Sequence, residues 1–257
     1  MTYIPIPQPL STTLVPPGGV PHRRYSRNRT IGTTYEMLDN NGAAGPQLRT
    51  TAAVMQVKSD STSDTAAGVG ARSVRIKGLN SAFAPLEEVV TMNGTTAVNT
   101  INSFIRINSM AVETTGTYGG VVTGLDGANI GTISLNALGN AAVLLSMFPQ
   151  DGEEDNASQC VAAGFYVGIS GYTVSVDTDK IVDVNLQLRG GADIVVAPFT
   201  ATLLIAEFVG VTADGISAFN PPLIIPSKTD FYAMGRVSQG AADIAFSLRG
   251  FLAPNPT

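Results

Sequence analysis

The chain contains no tryptophan, one cysteine and one histidine. Each shortage removes a class of chemistry. Cys160 stands alone, so no intrachain disulfide can form. It reads as a small buried apolar residue. A zinc site needs clustered Cys and His, and His22 and Cys160 lie at opposite ends of the first two thirds of the chain. A nucleophilic triad needs a histidine base within hydrogen-bond reach of its serine or cysteine, and His22 sits in a proline-rich stretch. Without tryptophan, the aromatic platforms on which sugars commonly stack are scarce. Charge is also low, at 14% of residues against about a quarter in an average soluble domain. The net charge of −5 argues against nucleic acid as a partner, which clustered Lys and Arg would attract. No apolar run reaches the about 18 residues of a membrane-spanning helix; the longest candidate, 197–211, is interrupted by Pro198 and Glu207. No charged-then-apolar leader opens the chain, an expectation against export by that route. Phosphate-binding, dinucleotide and metalloprotease motifs are missing. A carboxylate pair of the glycoside-hydrolase kind needs only two acids, and no particular residue recommends one.

What the chain has is strand period. In 72–77, Val74 and Ile76 fall on one face and Arg75 and Lys77 on the other, the period of two of a half-buried strand. A second run, 88–92, ends at Asn93-Gly94, a turn pair that tolerates positive φ. Runs at 95–100 and 104–112 follow. The glycines Gly116, Gly119, Gly120, Gly124 and Gly127 make 114–131 a loop. The apolar stretch 142–148 does not alternate, so it is either a strand buried on both faces or a short helix. Strands are predicted at 132–135, 161–169, 172–176, 200–209, 231–237 and 243–249. The cleanest alternation is 181–189, with Val182, Val184, Leu186 and Leu188 inward and Asp183, Asn185, Gln187 and Arg189 outward. About eight to twelve short strands separated by turn residues call for two packed sheets. The predicted class is all-β, a jelly-roll-like β-sandwich over 54–257, with an Ig-like Greek-key sandwich as the alternative.

Residues 1–53 read as an extended arm and linker. Pro5, Pro7, Pro9, Pro16, Pro17 and Pro21 disfavour helix and central strand and favour an extended, polyproline-like path. Arg23, Arg24, Arg27 and Arg29 precede the first acid, Glu36. These four arginines are the predicted partner-binding residues, reaching a carboxylate-lined groove on a neighbouring subunit; a solvated tail and contact with DNA are the alternatives. The sharpest acidic cluster is Asp151, Glu153, Glu154 and Asp155. It has the charge for Ca²⁺, which takes six to eight oxygens, but lacks EF-hand spacing. No metal is assigned to it, and it reads as a solvated turn or a patch receiving another subunit's arginines. No cofactor and no catalytic residue is predicted.

Six segments also carry a resemblance. They are DTAAGVGARSVRIKGLN (64–80), EEVVTMNGTTAVNT (87–100), FIRINSMAV (104–112), GANIGTI (127–133), IPSKTDF (225–231) and IAFSLRG (244–250). Together, over about 54–252, they resemble a family of virion structural proteins of tailed bacteriophages, many from marine and cyanobacterial phages. The resemblance implies a non-enzymatic virion component assembled in the host cytoplasm. The expected role is a capsid cement or decoration protein. It would form a homotrimer and dock on the major capsid protein, or on other virion proteins, through its N-terminal arm. Few charges and many small residues suit a β protein that hides its surface in an assembly. The alternative is a tail, neck or vertex-fibre component that binds a host glycan, with Tyr118 and Tyr172 as stacking residues.

Overall fold

Alternating side chains become strands throughout the computed structural model, which describes residues 15–116, 128–176, 180–212 and 215–256. Among the described residues there is no α-helix. The strands are β1 (Val20–Ile31), β2 (Glu36–Met37), β3 (Ala53–Ser59), β4 (Ala71–Leu79), β5 (Pro85–Thr91), β6 (Val98–Phe104), β7 (Arg106–Thr115), β8 (Ile133–Ala137) and β9 (Val143–Met147). They continue as β10 (Glu153–Asp155), β11 (Ser158–Cys160), β12 (Phe165–Val176), β13 (Val182–Arg189), β14 (Leu203–Val211), β15 (Gly215–Ile225), β16 (Asp230–Val237) and β17 (Ala242–Pro254).

The inward residues collect into two cores, so the expected single sandwich over 54–257 is corrected to two. Strands β3–β10 form one sandwich, from sheets ordered β6-β3-β8-β9 and β10-β7-β4-β5. Met55, Ile76, Phe104, Met110, Leu135 and Leu145 fill its core. The other sandwich takes β1 and then β11–β17, in sheets ordered β1-β17-β12-β15 and β11-β16-β13-β14, with β2 added to β16. Ile31, Ile169, Tyr172, Val184, Ile225 and Leu248 belong to its core. Counted along the chain, its eight main strands run first-eighth-third-sixth in one sheet and second-seventh-fourth-fifth in the other. That is the jelly-roll order, so the jelly-roll expectation holds for this half and the Ig-like alternative does not. The β3–β10 sandwich is inserted between the jelly roll's first and second strands.

That first strand lies in the predicted arm. β1 pairs antiparallel with β17, from Val20 opposite Leu252 to Ile31 opposite Ala242. Ser26, Asn28 and Ile31 point into the protein. The arm reading of 20–31 is therefore corrected. Only Pro21 falls inside the strand, near its start and on a sheet edge, where a missing N–H is tolerated. Residues 1–14 lie outside the described residues.

Turn chemistry explains the smaller differences. Gly94 has the predicted positive φ, 59°, yet β5 pairs with β4 while β6 pairs with β3. Asn93-Gly94 thus carries the chain from one sheet to the other and does not close a hairpin. Ser170-Gly171 does not separate two strands; it sits at a bulge within β12. Pro221 and Pro222 lie inside β15, an edge strand, where its register with β12 slips. The stretch 142–148 resolves as strand β9.

Two side-chain constellations hold the inserted sandwich together and to the jelly roll. The fully buried carboxylate of Asp64 accepts from Ser59 Oγ at 2.6 Å and from the N–H groups of Ala71, Ile130 and Gly131 at 2.8, 2.9 and 2.8 Å. A Cβ on Gly70 would lie 2.2 Å from Asp64 Oδ1, so that glycine is required by close approach. Between the sandwiches, Arg106 of β7 grips Asp230 of β16 in two parallel hydrogen bonds, Nε to Oδ1 at 2.8 Å and Nη2 to Oδ2 at 2.9 Å. Arg106 Nη1 donates to the carbonyls of Arg49 and Ile105. Leu79, Phe83, Ile105, Cys160, Ala162 and Ala192 form the apolar cluster of this junction.

Removing one partner of a buried, bidentate pair strands the other. Asp230→Ala is expected to lower unfolding free energy by about 3–5 kcal/mol, with Arg106→Ala similar. The double variant Arg106→Met/Asp230→Leu is expected to lose clearly less. Urea denaturation of the four proteins checks the order.

Candidate functional site

Four of the predicted site residues, Arg24, Arg29, Asp151 and Asp155, meet along one seam. β10 pairs with the β7 edge of the inserted sandwich and presents its acids to β1. Arg24 Nη1 donates to Asp155 Oδ1 at 3.0 Å, and the Tyr25 N–H to Asp155 Oδ2 at 2.9 Å. Arg29 Nη2 donates to Asp151 Oδ1 at 2.6 Å while its guanidinium lies over the Phe148 ring. Arg27 Nε donates to Asp243 Oδ1 at 2.7 Å on β17. Arg23 is exposed, opposite Arg249 in the register. Three of the four arginines are therefore paired within their own chain. This corrects the expectation that they extend to a neighbour's acids, and the reason is that β1 is a sheet strand.

The reading of the acidic cluster as a patch for another subunit's arginines is corrected in the same way, since the arginines it receives are the chain's own. Asp151 and Asp155 carry guanidinium partners, and Glu154 is turned inward. Among the described residues no group of three or more His, Cys, Asp or Glu is arranged to hold a metal ion. Glu154 is 2% exposed. Its Oε2 accepts from Asn40 Nδ2 at 2.9 Å, and its Oε1 from the Asn40 N–H at 3.3 Å. Burial pushes its carboxyl up to about 9, helped by the neighbouring Asp39, Asp151 and Asp155. Burial likewise lifts Asp39 to about 6, against three backbone N–H donors. Asp155 is raised by burial and partly restored by Arg24. At neutral pH the seam thus holds a proton on Glu154.

A cleft of about 390 Å³ opens between the sandwiches beside the N-terminal half of β1. Leu79, Leu86, Val161, Val167, Phe231 and Leu252 supply apolar wall, and His22, Arg24, Lys77, Glu87, Asn108 and Gln159 supply polar groups. Burial, with Arg24 nearby, lowers the His22 imidazole to about 3. Burial and the adjacent Asp230 push the Cys160 thiol well above its ordinary value. The chain's one imidazole is therefore neutral and its one thiol stays protonated. Sequence reasoning placed His22 in an arm. The sequence carried no clear strand signal there, because the inward His22, Arg24, Ser26 and Asn28 are as polar as their outward neighbours and prolines crowd the segment before them.

The two tyrosines proposed for glycan stacking fare differently. Tyr172 is a core residue, edge-on to Phe208 and tilted against Phe219 and Phe246, so it offers no open ring. Tyr118 lies outside the described residues.

No protein-family model matches the chain, and no curated protein does. Among solved structures, the chain is similar to infectious bursal disease virus derived T=1 particles, at 13% identity over 91% of this chain and 69% of that one, TM-score 0.25. It is similar to the VP2 subviral particle of that virus at 13% identity, 91% and 70% coverage and TM-score 0.26. The structure of the Gx strain gives 13% identity, 93% and 73% coverage and TM-score 0.28. The jelly-roll assignment stands on strand order and not on these superpositions.

Glu154 binds a proton more tightly folded than unfolded, so its contribution to stability is fully present below about pH 4.5 and is lost as pH rises toward 9. Glu154→Gln is expected to raise the thermal midpoint by several degrees at pH 8, at roughly 2–4 °C per kcal/mol, and to change it little at pH 4.5. Thermal melts across that range check the sign.

Proposed function

We propose that this chain is a structural, non-enzymatic component of a virion, in its finer form a cement or decoration protein of a bacteriophage head. The observation that carries the reading is where the resemblance motifs fall. Asp64 and Gly70, from the first motif, and Gly131, from the fourth, meet at one buried carboxylate. Arg106 and Asp230, from the third and fifth, form the pin between the sandwiches. The motif residues serve as joints of a scaffold. The groups that most often perform catalysis, the imidazole and the thiol, are buried and held neutral. The jelly roll is an architecture common in capsid proteins.

A surface for copies of itself is at hand. Large exposed apolar residues concentrate on the β14–β15 edge of the jelly roll and the loop before it, among them Val196, Leu203, Leu204, Val209, Ile216 and Ile224. Edge strands bordered by apolar side chains invite pairing with another chain. Attachment to the major capsid protein then falls to surfaces other than the paired arginines of β1. The homotrimer and the head as the place of docking are part of the proposal.

Light scattering on the purified protein is expected to give an oligomer, a trimer, that cosediments with phage heads lacking the protein. A monomer at every concentration that never cosediments would remove the reading. Val209→Lys with Ile216→Lys is expected to return the oligomer to monomers without lowering the thermal midpoint of the fold.

A further inference from the structure

The cleft beside β1 contains two buried hydrogen-bonding atoms with no partner, His22 Nε2 and Arg24 Nε. Arg24 Nε can only donate, and Nε2 of the neutral imidazole is available to donate. Leaving such groups dry and unpaired is costly. Their apolar surroundings include Val20, Leu79, Leu86, Val167, Phe231 and Leu252. The volume, about 390 Å³, falls within the about 300–1,000 Å³ range of ligand sites. Of the other polar groups at the cleft, the Glu87 carboxylate is paired with Arg75 and Lys77, and Gln159 Nε2 is bonded to the Asn108 and Asn156 carbonyls, so the two open donors call for an apolar ligand that brings carbonyl acceptors.

A segment of that description stands at the start of this chain. Residues 1–10 read MTYIPIPQPL, with no charged side chain. Pro5, Pro7 and Pro9 lack N–H groups, while every carbonyl remains an acceptor. Ile4 and Ile6 alternate with prolines, as in the apolar proline-rich peptides that dock in aromatic-lined grooves. The tether is also in place. Val20 both opens β1 and lines the cleft. Immediately before it the Gly19 N–H donates to the Pro16 carbonyl at 2.9 Å, with Gly18 at φ 76°. That turn reverses the chain at the mouth of the cleft. Fourteen further residues can reach roughly 45 Å when extended.

We infer that the cleft between the two sandwiches is a docking groove for residues 1–14 of the same chain, whose Ile-Pro carbonyls pair with His22 and Arg24. This goes beyond the virion reading and does not depend on it. Docking would cover the apolar walls and fix the orientation of both sandwiches against β1. The short tether holds the segment at an effective concentration of about 1 mM, so a dissociation constant of about 0.1 mM or below keeps the groove filled.

The test removes residues 1–14, since every strand among the described residues lies after them, and titrates the truncated protein with a fluorescein-labelled peptide of residues 1–14. Anisotropy is expected to saturate below about 1 mM. The full-length protein is expected to bind the same peptide at least tenfold more weakly, because its own segment competes. Ile4→Asp/Ile6→Asp in the peptide, or Val20→Asp in the truncated protein, is expected to weaken binding at least tenfold. Circular dichroism confirms that the Val20→Asp protein remains folded, and the peptide variant leaves the protein untouched. No saturation, equal affinity in truncated and full-length protein, or indifference to both substitutions overturns the inference. A drop in oligomer mass on truncation overturns it too, by assigning the segment to a neighbouring copy.

Discussion

The carboxylate of Asp230 is wholly removed from water; Arg106 of the other sandwich grips it in two hydrogen bonds, with the Arg189 guanidinium of its own sheet 3.8 Å away. An ionised carboxylate without such a partner would not tolerate that burial. The fork geometry matters as much as the charge. Two parallel N–H···O bonds define an orientation as well as a distance, and they hold the two sandwiches in one relation. Arg106 carries its remaining N–H groups to the Arg49 and Ile105 carbonyls and lies over the Phe83 ring. The linker, the inserted sandwich and the jelly roll are therefore tied at one point. The junction's apolar cluster packs there because the polar atoms are already satisfied.

The seam of β1 and β10 works on softer terms. Its ion pairs are partly exposed, so each adds little by itself. What distinguishes the seam is the inward Glu154, whose charge is suppressed by burial and by three neighbouring acids. A protonated carboxyl there lets the acidic turn of one sandwich lie against the basic strand of the other without an unbalanced buried charge. With the seam closed, β1 is fixed as the jelly roll's edge strand. That same closure forms the cleft beneath it and leaves the opposite β14–β15 edge open and apolar.

Local period carried most strands into view. The alternation of 181–189 became β13, and 243–249 became the middle of β17. The segments of the resemblance were visible as motifs, but their work was not. Nothing in DTAAG announces that Asp64 will accept a hydrogen bond from Ile130 N–H, because the two are brought together only when β4 and β8 join opposite sheets of one sandwich. The arginines of β1 were legible as a charge cluster. Their partners were not, since Asp151 and Asp155 lie more than a hundred residues away. The prolines misled, because they suggested an arm where a sheet edge accommodates one of them.

The sequence by itself determined an all-β chain, the faces of its clearest strands, and a scarcity of tryptophan, cysteine and histidine. Those properties follow from side-chain period and composition, which are local. Only the tertiary structure decided that there are two cores, that a strand from the N-terminal region closes the jelly roll, and that Arg106 meets Asp230. Each of these depends on pairing between residues distant in the chain. Such pairing is set by which apolar faces can be buried together and which buried charges can be matched.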